Sequence, residues 1–135
     1  MATVRLWTDG EVAADARVRA VFDDIRATRK SGFVNNFWRA LANQPDVLER
    51  TWSNLKAVMF APGALDPLTR ELVYIAVSTV NACSYCVHSH TAAARGKGMT
   101  DAQHAEFLSV MAMAMQTNAL ATALQVPVDP EFQAG

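Results

Sequence analysis

Helix start and stop signals recur along the whole chain and strand signals do not, and this punctuation limits the fold more than any other feature. Asp66 followed by Pro67 has the form of an N-cap and a first helical residue. Thr100 to Gln103, TDAQ, has the capping-box pattern. Pro45 suits the first position of a helix running through DVLERTWSNLKAVMF to about Phe60. Val12, Val18, Val21, Phe22 and Ile25 form one apolar stripe in a helix expected over Glu11 to Lys30, with Ser31 and Gly32 as its stop. A short helix is expected from Asn36 to Ala42. Beyond Asp66 the apolar run LVYIAVSTV continues a mostly buried helix to a break near Asn81 and Ala82. Another helix then carries Cys86 to about Arg95 and closes at Gly96 to Gly98. No alternating β-branched run bounded by hairpin turns interrupts the series. The expectation is all-α, a bundle of about six helices in a single domain over residues 1–135, with an irregular tail from Gln125.

A chain of 135 residues can bury one substantial core. Its formal charge of −1 leaves no basic footprint for nucleic acid or an anionic membrane surface. The opening residues lack a basic segment followed by an apolar stretch, and no apolar run reaches the about 20 residues of a membrane span. A cytoplasmic protein without a membrane or nucleic-acid partner is expected. The helix from Phe107 to Leu124 is apolar around most of its circumference, with Met111, Met113 and Met115 alternating around it. A helix buried on all sides is hard to cover from so short a chain, so neighbouring subunits of a homo-oligomer are expected to cover it.

The chemistry concentrates in NACSYCVHSH, Asn81 to His90, which holds both cysteines and two of the three histidines. At about 100° per residue, Cys86 lies about 60° and His90 about 20° from Cys83, so all three share a helix face. His88 and Tyr85 fall off that face. If the chain folds back near Asn81, Glu71 and His90 lie at comparable distances from the turn, and the carboxylate can reach the imidazole. Glu71, Ile75 and Ser78 are spaced to share the face that meets the partner helix. A thiolate is favoured at a helix N-terminus, beside an imidazole and in C-x-x-C pairs. His90, one turn beyond Cys86, is placed to take its proton, and Glu71 to fix the imidazole tautomer. A sulfenic acid on one cysteine can then be resolved to a disulfide by the other.

Rival readings fit less well. Zinc needs four ligands, and Cys83, Cys86, His88 and His90 do not converge on a helix. A c-type haem needs histidine directly after Cys86, where Val87 stands. Inert cysteines beside a core histidine would seldom fall on one face. His104 reads as a surface residue, Arg70 as solvated, and Trp7, Trp38 and Trp52 as core or interface anchors.

Glu71, eleven residues, Cys83, two residues, Cys86, three residues and His90 reproduce the E-x11-C-x2-C-x3-H signature of the alkyl hydroperoxidase D (AhpD-like) proteins, within the carboxymuconolactone decarboxylase superfamily. The surrounding DPLTRELVYIAVSTVNACSYCVHSHTAAARGKGMT also resembles that core, over about residues 65–108. The resemblance implies an all-helical fold in trimers or hexamers, with thiol-dependent alkyl hydroperoxide peroxidase or disulfide reductase activity in antioxidant defence. It implies no tightly bound cofactor and no metal. The substrate would be an organic hydroperoxide or a peroxiredoxin disulfide, with an external lipoamide-type dithiol as reductant. By position, Cys86 would be the thiol oxidised to sulfenic acid, Cys83 its proton donor and disulfide partner, and His90 and Glu71 the proton relay. The best-studied type of the family has a further histidine one residue before the second cysteine; here Tyr85 stands there, a candidate auxiliary hydrogen-bond donor. The helix-terminus argument favours Cys83 as the lower-pKa thiol, so which sulfur meets the oxidant stays open. The alternatives are a non-redox lyase like the superfamily's decarboxylases and an oligomeric binding protein with a vestigial site.

Overall fold

The computed structural model describes Met1 to Gln133. It contains seven α-helices: α1 (Asp9–Ala14), α2 (Ala16–Arg29), α3 (Asn36–Leu41), α4 (Pro45–Met59), α5 (Pro67–Val80), α6 (Ser84–Gly96) and α7 (Asp101–Ala123). A single 3-10 turn at Pro130–Phe132 interrupts the tail, and there is no strand among the described residues. The chain is all-α, as its helix signals imply. No helix among the described residues is long and apolar enough to cross a membrane.

The count exceeds six because the segment expected as one helix over Glu11 to Lys30 is two. Asp15 takes an extended backbone (φ −109°, ψ 111°), and its carboxylate accepts from the amides of Arg17 and Val18. It satisfies orphan donors at the start of α2 and so stops α1. Thr8 and Glu11 cap α1 reciprocally. The stop of α2 also falls earlier than Gly32: Lys30 takes the left-handed conformation (φ 52°) and donates its amide to Ala27.

The helices group into two compact units, Met1–Ala64 and the residues from Leu65 onward. In the first, Val12, Val18, Phe22, Ile25, Val34, Trp38, Ala42, Leu48 and Trp52 form the core. Trp38 and Trp52 meet edge to face at 5.4 Å, and Trp7 packs on the cluster half-buried. In the second unit Ile75, Ala94 and Met99 are buried, with Leu68, Leu72 and Phe107 packed against them.

Helix α5 begins as its sequence implies. Asp66 accepts from the Thr69 amide at 2.9 Å and hydroxyl at 2.6 Å, with Pro67 in the first turn. Its buried residues are Glu71, Ile75 and Ser78, the three spaced to share a face. α7 opens with the Thr100 and Gln103 capping box. None of its residues is buried: Val110 is 64%, Met113 58% and Leu120 53% exposed. It is therefore no core helix of its unit.

Candidate active site

The turn between α5 and α6 sets the position of the cysteines. The Ala82 amide donates to Thr79 (3.1 Å) and the Cys83 amide to Ser78 (2.9 Å), a Schellman closure of α5 with Ala82 in the left-handed conformation at φ 54°. Glycine is the usual occupant there, and alanine costs about 1 kcal/mol more. The closure places Cys83 as the N-cap of α6, with its Sγ accepting from the Cys86 amide at 3.4 Å. Both cysteines are free thiols and half-buried.

The two sulfurs are electrostatically unequal. Hydrogen bonds from the Cys86 side chain and then its backbone amide hold the Cys83 thiol below the ordinary cysteine range, against burial. Cys86 is pushed up to about 11, first by burial and then by the hydrogen bond and charge of Cys83, opposed by a hydrogen bond with Ser78. In the dithiol state Cys83 is the thiolate-prone sulfur and Cys86 holds its proton. The helix-terminus argument from the sequence points to the same sulfur.

Glu71 and His90 meet as the hairpin geometry requires. The His90 Nδ1–H donates to Glu71 Oε2 at 2.7 Å across 19 residues of sequence. The imidazole is largely covered, with its side chain 16% exposed, and the carboxylate is buried at 4%. That bond fixes the neutral tautomer with Nε2 as the acceptor. Burial pushes the Glu71 carboxyl up, but hydrogen bonds from His90 and Lys97 outweigh it and hold the group below the ordinary glutamate value. Lys97, just past the end of α6, donates its ammonium to Glu71 Oε1.

Two further side chains join the site. The Tyr74 ring stacks on His90 with centroids 3.6 Å apart and planes at 20°. Burial, then the negative charge at Cys86, Cys83 and Glu71, pushes its phenol upward. Ser78 lies under Cys86 from α5. Neither Tyr74 nor Lys97 belongs to the E-x11-C-x2-C-x3-H spacing. Tyr74 follows Glu71 by three residues and so shares its helix face, but within LVYIAVSTV it reads as one more apolar position.

The other sequence candidates have different surroundings. The His88 Nδ1–H donates to the Ser84 carbonyl of its own turn at 2.8 Å, away from the thiol face. Tyr85 lies in the first turn of α6 and is 44% exposed. His104 stacks on Phe107 within α7, and the Arg70 guanidinium donates to the Leu65 carbonyl. At the α5–α6 turn a recess of about 230 Å³ is lined by Ser78, Thr79, Ala82, Ser84, Val87 and His88, and neither cysteine lines it. No three His, Cys, Asp or Glu side chains among the described residues converge as metal ligands.

With this geometry in view, the similarities to known proteins are specific. The carboxymuconolactone decarboxylase family pattern matches residues 45–129, which include every site residue above. The alkyl hydroperoxide reductase AhpD of Solibacter usitatus is 31% identical over 123 residues, covering 90% of this chain and 67% of that protein. Uncharacterized protein 4 in the cox locus of Paracoccus denitrificans is 41% identical over 58 residues, 43% of this chain, which spans about half of that relative (52%). The crystal structure of the alkylhydroperoxidase AhpD core from Rhodospirillum rubrum superposes with a TM-score of 0.98 at 64% identity, over 100% of this chain and 99% of that one. A family match over more than half of the sequence, joined to likeness over nearly all of it with an AhpD core, places this chain in the carboxymuconolactone decarboxylase family, among its AhpD-like members.

Proposed function

We propose that the chain is a thiol-dependent alkyl hydroperoxide peroxidase that also serves as a disulfide reductase, with Cys83 and Cys86 as its redox pair. The observation that carries the reading is the sharing of one α6 face by both thiols and by an imidazole whose tautomer a buried carboxylate fixes. The AhpD name of its relatives supports the same chemistry.

Cys86 holds its proton at neutral pH, and His90, one turn further along α6, is the base placed to receive it. The thiolate attacks the outer oxygen of the hydroperoxide. The O–O bond breaks, Cys86 becomes a sulfenic acid, and the leaving alkoxide takes the proton from His90 to depart as alcohol. Cys83, the more readily ionised thiol, then attacks the Cys86 sulfur, closes the disulfide and releases water. An external lipoamide-type dithiol restores both thiols and leaves as its own disulfide. For a peroxiredoxin disulfide the first attack falls to Cys83 instead, the low-pKa thiol at the helix N-terminus. Different sulfurs then meet the two oxidants. Tyr85, one residue before Cys86 in the sequence, is the auxiliary hydrogen-bond donor of this reading. A reducing cytoplasm would keep such a pair cycling.

The apolar, unburied surface of α7 supports a homo-oligomer, a trimer or hexamer, in which that helix is covered. Turnover of cumene hydroperoxide with dihydrolipoamide tests the function. Activity is expected in the wild type, loss in Cys83→Ser and Cys86→Ser, and a fall of about 100-fold in His90→Ala. Equal turnover in all four proteins would end the redox reading and leave the lyase alternative in its place.

A further inference from the structure

We propose that Lys97 is a positioning residue of the thiol relay, whose ammonium keeps Glu71 ionised and turned so that one carboxylate oxygen is left for His90. The inference rests on the relay reading above and adds a member that the cysteine, histidine and glutamate spacing does not contain.

The chain places Lys97 with care. It lies seven residues beyond His90, about 20° around α6, so it continues the face that carries Cys83, Cys86 and His90. Its backbone is pinned where α6 ends. The Lys97 amide donates to Ala93 and Ala94, Gly98 to Arg95 and Met99 to Ala94, all at 3.0–3.1 Å. Gly98 sits at φ 91°, a conformation that suits glycine, and buried Met99 and Ala94 anchor the turn in the core. From this fixed point the side chain, 26% exposed, reaches a carboxylate only 4% exposed.

A buried carboxylate with an imidazole as its sole partner has two ways to become satisfied. It can take up a proton, or it can draw one onto the imidazole; either way the pair loses its neutral base. A permanent cation on the second oxygen removes that choice. Oε1 is held by Lys97 and Oε2 by His90, so the carboxylate stays charged while Nε2 stays free to accept.

Among the described residues, Glu71 has no other cationic partner. On α5, Tyr74 is a phenol and the Arg70 guanidinium turns to the Leu65 carbonyl. On α6, His88 bonds Ser84 and Arg95 pairs with Asp101 at 2.8 Å, and the remaining titratable groups are His90 itself, the Tyr85 phenol and the Cys86 thiol, with Cys83 at the N-cap. On α7, His104 lies on Phe107.

The test is the pH dependence of iodoacetamide capture of Cys86, followed by peptide mapping of the reduced protein, for wild type, Lys97→Met, Lys97→Gln and Lys97→Arg, with thermal melts alongside. Removing the positive charge is expected to move the rising limb of the profile to higher pH by about 0.5–1 unit in both neutral variants. Lys97→Arg is expected to return the limb to within about 0.3 unit of wild type. A limb that stays in place in folded Lys97→Met and Lys97→Gln overturns the proposal. So does a slowing at every pH, without displacement, that arginine fails to rescue, because that pattern marks a packing role. Iodoacetamide needs no hydroperoxide, so the Lys97 result stands apart from the fate of the peroxidase reading. Failure of that reading would show as wild-type thiols that react with iodoacetamide and ignore cumene hydroperoxide.

Discussion

Replacing Glu71 with glutamine removes one charge from a residue that is only 3% exposed. Wild-type Glu71 accepts two charge-assisted hydrogen bonds, from His90 and Lys97, each worth about 1.5–3 kcal/mol. The amide keeps one accepting oxygen and turns its NH2 group toward the other donor, so about one such bond is lost. Lys97 can recover part of that by turning to water, since a quarter of its side chain is already exposed, whereas His90 cannot. The expected cost at pH 7 is therefore about 2 kcal/mol, a fall in Tm of about 5–10 °C for a chain of this size. The Glu71 carboxyl lies below its ordinary value of 4.5. The stability it contributes is thus complete above about pH 4.5 and is lost as pH falls through the lower folded-state value. Glutamine does not titrate, so the gap between wild type and Glu71→Gln should narrow below about pH 4.5. Urea unfolding followed by far-UV circular dichroism reads this directly. Tryptophan fluorescence would not, because Trp7, Trp38 and Trp52 all lie in the Met1–Ala64 unit. A cost under about 0.5 kcal/mol at pH 7, or a gap that stays constant from pH 7 to pH 3, would refute the pairing argument.

Two more outcomes follow from the same geometry. Under limiting iodoacetamide at pH 7, Cys83 should be alkylated at least about 10-fold faster than Cys86, because one thiol is held low and the other pushed up to about 11; peptide mapping that finds Cys86 labelled first would reverse the assignment. Ala82→Gly should stabilise the fold by about 0.5–1 kcal/mol, since glycine takes φ 54° without strain, and a lower denaturation midpoint would contradict the Schellman reading of that turn.

Much of this arrangement is legible in the sequence where the signal is local. Asp66, Pro67, Pro45, Thr100 and Gln103 each mark a helix start by chemistry confined to one turn, and the structure places each there. The meeting of Glu71 and His90 needs only two helix lengths counted from a common break. Asp15 is illegible for the opposite reason: no glycine or proline interrupts the chain from Glu11 to Lys30, and only the backbone shows that its carboxylate serves as a cap. Lys97 lies between two glycines that read as a stop signal, and its value depends on a carboxylate 26 residues earlier, reached only once α5 and α6 pack. Tyr74 sits inside LVYIAVSTV, where an aromatic among β-branched residues reads as core. From Phe107 to Leu124 the sequence is apolar around most of the helix circumference, and the structure leaves that surface of α7 unburied.

The central claim is that Cys83 and Cys86 form one redox pair that a hydroperoxide closes and a dithiol opens. Intact-mass spectrometry of the reduced protein after cumene hydroperoxide tests it most directly. The account predicts a loss of two hydrogens, about 2 Da, reversed by dihydrolipoamide and absent from Cys83→Ser and Cys86→Ser. An unchanged wild-type mass, or the same loss in either serine variant, would contradict it.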